Sequence, residues 1–392
     1  MTLRSAHPLR PVATQLAEEN VSMSERPPAT GQWRPTAFGA EGGRIPTIGE
    51  ADVRPLVPGL DLWDCWPLTD PAGRTVEHAG RTWWFFLSAA QFPDPVQRHA
   101  HARIRLLSRG ADGWHDHGNA LPDGLTPGSR EWAGSAILTD GDRVTLYYTV
   151  AGRAAEPELT FEQRLFATEG QLQADGIAGW TTPRELVVAD GAIYQVANDR
   201  VELAPGTLKA FRDPFFFQDP ATGQDHLIFT ASAGWSTVPH NGMVGLATRT
   251  VGGWALDTPL IDAIGVNNEL ERAQVHHRDG LYYLFWSTQR HTFAPGAPAG
   301  PNGIYGMVAD SLRGPWRPIN GSGLVAANAP DEPQQSYSWV LTGEDEVWSF
   351  VDYWGLAGRS LADHPELVRS RFGGTAAPVF RLRFAGDSVS IG

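Results

Sequence analysis

The chain has 392 residues, of which 42% are hydrophobic and only 19% charged, with 43 Gly, 30 Pro and 15 Trp. That mixture excludes long helices and extensive disorder and favours many short strands joined by turns. A formal charge of −13 without a Lys/Arg block excludes a nucleic-acid partner, whose phosphates require clustered cations, and the single cysteine, Cys65, excludes an internal disulfide.

Residues 1–45 mix Pro, Ser, Thr, Glu and Gly without apolar periodicity, which predicts an extended arm ahead of one domain over 46–392. The amino terminus lacks the continuous apolar stretch of a secretory signal, and no later run is long enough to cross a bilayer. No membrane association is expected, and the location is expected to be cytoplasmic, or outside the cell by a route without a classical signal peptide.

Beyond the arm one local pattern recurs: a Gly/Asp turn, a short aromatic and β-branched run, then small polar residues. It stands at 78–89 (HAGRTWWFFLSA), 139–152 (TDGDRVTLYYTVAG), 222–234 (TGQDHLIFTASAG), 278–289 (RDGLYYLFWSTQ) and 342–353 (TGEDEVWSFVDY). Such recurrence over the whole chain predicts an all-β fold, a five-bladed β-propeller whose blades surround an acidic central pocket. A two-sheet sandwich is the architectural alternative, because alternating strands with turn signals also describe it.

Three acidic motifs interrupt this pattern in chain order. In Leu62-Trp63-Asp64-Cys65-Trp66-Pro67-Leu68 an aspartate lies between tryptophans, where a carboxylate is poorly solvated unless bonded or used, a turn-capping aspartate being the alternative. In Phe211-Arg212-Asp213-Pro214-Phe215-Phe216-Phe217 the proline is expected to keep Asp213 extended at the entrance of a buried strand; an exposed Arg-Asp pair is the plainer account. In Glu269-Leu270-Glu271-Arg272 the two glutamates precede a strand at 281–287, or else form a solvated acidic loop.

Two aspartates and a glutamate from separate blades can meet only near the axis. That geometry suits glycoside chemistry, which needs one carboxylate as nucleophile or base and a second as proton donor. Trp63, Trp66 and Trp132 are candidate stacking faces for a sugar ring, and Arg212 and Arg272 candidate partners for its hydroxyls. The chain has no glycine-rich phosphate loop and no GxSxG elbow, so nucleotide binding and α/β-hydrolase chemistry lack their usual signals. The pairs His99/His101 and His115/His117 have strand spacing that can share a face, but loop histidines are the simpler reading.

Together these motifs resemble glycoside hydrolase family 68, the levansucrase, inulosucrase and bacterial β-fructofuranosidase family, over about 58–384. The resemblance implies Asp64 as nucleophile, Asp213 as transition-state stabiliser and Glu271 as acid/base. It further implies that Trp63 and Trp132 wall the fructose site, that Glu269, Arg212 and Tyr337 contact the glucose side, and that Gln289 stands beside the acceptor. Its substrate would be sucrose with small sugar acceptors, without any cofactor; the alternatives are a long-chain levan-forming enzyme, a related five-bladed inverting glycosidase of arabinan or xylan, and a carbohydrate-binding propeller without turnover. Two departures stand out: Ala133 replaces a serine that supports the nucleophile in many members, and Gln289 replaces the Arg or His of polymer-forming members, a role open to Arg290 or His291. Asn268, not an acid, precedes Glu269, so no metal requirement is expected.

Overall fold

The computed structural model describes residues 29–39, 42–200 and 206–392. Among them regular structure is almost entirely β, with one four-residue α-helix, Leu367–Ser370, so the expectation of a mostly β chain holds. The strands fall into five successive antiparallel groups. Their first strands are Leu60–Thr69, Arg130–Thr139, Phe211–Gln218, Glu271–Arg278 and Ser336–Leu341. Each pairs with a second strand: Arg81–Ala90, Arg143–Ala151, Asp225–Ser232, Leu281–Thr288 and Glu346–Tyr353. These second strands are the five recurrent aromatic runs. In Arg81–Ala90 every residue from Trp83 to Ala89 is buried, as expected of a strand covered on both faces, whose sequence reads as a continuous apolar run.

The groups join side by side. Each first strand contacts that of the next group, and Ser336–Leu341 returns to contact Leu60–Thr69, which closes a ring. The first two groups also share one sheet through parallel pairing of Leu68 with Ala136 and Thr69 with Ile137. In the fourth group a tight hairpin carries the chain from first to second strand: at Asp279 and Gly280, φ is 51° and 81°, the left-handed pair that a two-residue primed turn requires.

All five first strands break register at one equivalent point: Trp63/Cys65, Trp132/Gly134, Arg212/Phe215, Glu271/Gln274 and Tyr337/Val340. Four of the breaks hold a non-glycine residue at positive φ, namely Asp64 (37°), Asp213 (60°), Arg272 (54°) and Ser338 (59°). A bulge re-aims a side chain that alternation would send elsewhere. At the remaining break Ala133 precedes Gly134, where a Cβ would stand 1.9 Å from the Tyr147 carbonyl oxygen.

The expectation that Pro214 keeps Asp213 extended is thereby corrected. The bulge outweighs the local preference because the Asp213 amide donates to Thr149 Oγ1 (2.8 Å) and its carboxylate accepts from Thr230 Oγ1 (3.1 Å). Pro214, lacking an N–H, adds no unpaired donor where the ladder is broken.

Of the expected arm, residues 1–28, 40 and 41 lie outside the described residues. The rest straps the outside of the third and fourth groups. Trp33, fully buried, donates its amide to Asp262 O and its indole N–H to Ser322 O, each at 2.9 Å, and Gly43–Arg44 adds a parallel strand beside Leu324–Ala327.

Candidate active site

The five register breaks face one cavity of about 270 Å³. Asp64, Asp213, Glu269, Glu271, Arg212, Arg272 and Ser338 line it, with Trp63 and Trp132 among the walls and Gln289 and His291 on the lining as well. Asp64 and Asp213 come from the bulged positions of the first and third groups. Glu271 opens the first strand of the fourth group, and Glu269 stands in the segment before it.

Arg212 ties the acids together. Its buried guanidinium Nη2 donates to Glu269 Oε2 at 2.5 Å and to Glu271 Oε1 at 2.6 Å, and its Nε lies 3.6 Å from Asp213 Oδ2. Tyr337, from the fifth group, donates its hydroxyl to Glu271 Oε2. Arg272 turns away from the cavity centre: its Nη2 donates to Cys65 O at 3.0 Å and its guanidinium lies 5.4 Å from the ring centre of Trp66. Buried guanidiniums require such partners, since an uncompensated charge in the interior costs several kcal/mol, of the order of 3–5.

The carboxyls differ in their readiness to lose a proton. Burial raises Asp64, while the Arg272 charge and the Ser338 hydroxyl pull it back. Burial pushes Asp213 up to about 6, with Arg212 and Arg272 opposing. Glu269 and Glu271 titrate as a pair that holds a proton. Burial pushes Glu269 up to about 8 against the opposing charge of Arg212, with the negative charge of Glu271 adding to the rise. Burial also pushes Glu271 up, but Arg212, Glu269 and the Tyr337 hydroxyl outweigh it and bring it below the usual carboxylate range. A proton is therefore stored beside Glu271, on a partner that shares Arg212 with it.

The nine residues to which the family resemblance assigns roles meet here: eight line the cavity and Tyr337 reaches it through Glu271. The exposed-pair reading of Arg212 and Asp213 and the solvated-loop reading of Glu269 and Glu271 are both replaced by buried contacts. Trp66 behaves differently from its neighbour Trp63. It is buried under Arg272 and stacked on Phe85, with ring centres 5.7 Å apart, and takes no part in the lining. Sequence reading also passed over His99 as a wall residue and over Ser338. Ser338 directly follows Tyr337, but only the bulge register makes it equivalent to Asp64.

The histidine pairs separate. His115 meets Asp112 at 2.9 Å and His117 meets Ser108 at 2.8 Å, and the described residues contain no group of three or more His, Cys, Asp or Glu arranged to hold a metal. Beside Glu269, the Asn268 side-chain oxygen accepts from the Lys209 ammonium at 2.9 Å, and the same ammonium reaches Asn241 Oδ1 at 2.8 Å and Pro239 O.

Comparison with known proteins gives this site its class. The profile of the levansucrase/invertase family, glycoside hydrolase family 68, matches residues 29–248 and 238–391. The levansucrase LscC of Pseudomonas savastanoi pv. glycinea is 31% identical over 381 residues, covering 86% of this chain and 84% of that protein. The inulosucrase of Halalkalicoccus jeotgali, solved with bound kestose, superposes with a TM-score of 0.83 at 38% identity, over 93% of this chain and 95% of that one. The levansucrase of Gluconacetobacter diazotrophicus superposes at 0.75 with 26% identity, over 92% and 86%. The chain belongs to glycoside hydrolase family 68, and it is an enzyme of the glycoside hydrolase and fructosyltransferase type.

Proposed function

We propose that the protein is a retaining fructosyl-transferring glycosidase that splits sucrose and passes the fructosyl group to water or to small sugars. The observation that carries this reading is the convergence of Asp64, Asp213 and Glu271 on one cavity, with Arg212 bound to the proton-storing glutamate pair. The fold reading that accompanies it is a single five-bladed propeller over 46–392, supported by the closed ring of first strands.

In the first step Asp64 Oδ attacks the anomeric carbon of the fructosyl unit. The bond from that carbon to the bridging oxygen breaks, and Glu271 delivers a proton to the departing glucose. Donation requires the pair's proton to pass from Glu269 to Glu271. Sugar hydroxyls that accept from Arg212 and Tyr337 weaken their hold on Glu271 and so favour that transfer. Asp213, fixed by Thr230 and within reach of the Arg272 amide (3.4 Å), stabilises the positive charge that develops on the ring. Water or a sugar hydroxyl then attacks the same carbon, the bond from that carbon to Asp64 Oδ breaks and frees the carboxylate, and Glu271 takes up the attacker's proton. Retaining chemistry of this kind works with carboxyl groups about 5–5.5 Å apart. Trp63 and Trp132 offer faces to the fructosyl ring.

Gln289 and His291 share the lining, and the family resemblance sets Gln289 beside the acceptor. A neutral amide in place of a cation favours hydrolysis and short transfer products over chain growth. Abundant high-mass fructan from sucrose would overturn this. Metal independence is supported by the Lys209 ammonium among the oxygens next to Glu269, and loss of activity in excess chelator would contradict it. The central test follows glucose and fructose separately during incubation with sucrose. Glucose in excess over free fructose reports transfer, equal amounts report hydrolysis, and neither product refutes the proposal, after which arabinan and xylan become the substrates to try.

A further inference from the structure

We infer that Arg98 is a positioning residue for the sugar-facing Trp63, fixed by an aromatic–guanidinium ladder that runs from the cavity wall to the seam between the first and last strand groups. This inference rests on the proposed function for its kinetic consequence, although its structural content stands apart from it.

The ladder runs through five side chains, Trp63, Arg98, Phe372, Arg369 and Asp61. Trp63 lines the cavity and is itself 2% exposed. The Arg98 guanidinium lies 5.3 Å from the Trp63 ring centre and 4.6 Å from that of Phe372. On the Phe372 side a second guanidinium, that of Arg369, lies 5.1 Å from the same ring. Arg369 then grips the fully buried Asp61 with two bonds, of 2.7 and 3.1 Å. Asp61 and Trp63 are two residues apart on Leu60–Thr69, and Phe372 opens the strand Phe372–Ala376 of the fifth group. The ladder therefore leaves the first strand at Trp63, crosses to the last group and returns to the first strand at Asp61.

Arg98 has few ordinary partners. Its Nη1 donates to Pro95 O at 2.8 Å within its own 3-10 turn, Pro95–His101, and its buried Nε finds no hydrogen-bond acceptor. A guanidinium so placed interacts chiefly with the aromatic faces that sandwich it, an arrangement that arginine suits and lysine suits less well because only the planar group can stack on both. Its charge is balanced at longer range by Asp352, Asp64 and Asp61. Burial pushes Asp352 up to about 7 against the pull of Arg98, so the Arg98 charge favours the ionised form of this acid. The same 3-10 turn presents the next residue, His99, to the cavity, edge-on to Trp63 with ring centres 5.8 Å apart. Two consecutive residues of one short turn thus bracket the indole.

The test compares Arg98→Met, which keeps the length and loses the charge and plane, with Arg98→Lys and with Phe372→Leu. Crystal structures of the wild type and of Arg98→Met are solved, and sucrose kcat and KM are measured on samples whose melting curves are recorded. Trp63 is expected to shift or to occupy more than one rotamer in Arg98→Met, with kcat/KM lowered by ~10- to 100-fold at a temperature where the protein remains folded. Arg98→Lys restores part of the loss, and Phe372→Leu gives a smaller loss of the same kind. An unmoved Trp63 overturns the inference whatever the kinetics, and so does a displaced Trp63 with wild-type kcat and KM. If the wild type itself leaves sucrose intact, the proposed activity fails and the position of Trp63 alone decides the role of Arg98. Should Arg98→Met not fold, the Arg98→Lys structure and kinetics are judged by the same two criteria.

Discussion

Glu271 meets both Arg212 and the Tyr337 hydroxyl, and that double grip sets what can be measured at the scale of single residues. Asp64→Asn and Glu271→Gln are each expected to lower kcat on sucrose by ~10²–10⁴-fold without changing the circular dichroism spectrum. The kcat/KM profile should be bell-shaped. Its acid limb falls near pH 6, because Asp213, pushed up to about 6, and Asp64, also raised, must both be ionised and become protonated as pH drops. Its alkaline limb falls near pH 8, where the glutamate pair loses the proton held at about 8 by Glu269. Tyr337→Phe removes a donor that favours ionised Glu271, so the pair keeps its proton to higher pH and the alkaline limb moves upward. A limb that stays in place or moves downward would show that Tyr337 does not tune the pair. The identities of these residues were legible in the sequence, since WDCWPL, FRDP and ELER mark them. Their proton affinities were not, because those follow from burial and from charges that are 57 and 59 residues away along the chain.

At the scale of elements the recurrent feature is the register break in every first strand. Thr230, on the second strand of the third group, holds one such break by donating to Asp213 Oδ2 and accepting from the Arg272 amide, both at 3.1 Å. Thr230→Val keeps the shape and removes both bonds, so a loss of ~1–3 kcal/mol in urea denaturation is expected, together with reduced kcat. Gly134→Ala should be worse, because the new methyl would enter the Tyr147 carbonyl, and soluble expression reports it. The second strands could be read from their aromatic runs and Gly/Asp turns. The bulges could not: Asp213 before proline reads as extended, and only the pairing partners across the sheet reverse that preference.

For the molecule as a whole, closure of the ring and the strap along the third and fourth groups are the features to test. Trp33 is fully buried among Trp286, Phe293 and Tyr305, with ring centres 5.1–5.8 Å away. Trp33→Ala is expected to cost ~3–5 kcal/mol, seen as a lower urea midpoint. An unchanged midpoint would mean that the strap adds nothing to stability. Composition alone gave no sign that this proline-rich segment carries a core tryptophan, because two aromatics, Trp33 and Phe38, in a polar stretch make no periodicity.

The sequence by itself determined the chemical alphabet and the strand recurrence: three acidic motifs, five aromatic runs and turns at their starts are local properties of short stretches. Tertiary structure decided which of those side chains meet. Trp63 and Trp66 pair with Leu87 and Phe85, two residues apart, so the bulge at Asp64 brings both to one face of the strand, yet one walls the cavity and the other is buried beneath Arg272, a side chain supplied by the fourth group. Proton storage on the Glu269–Glu271 pair likewise requires Arg212 from another strand group. Contacts between distant segments and the desolvation they impose arise only when the ring closes, so no local pattern contains them.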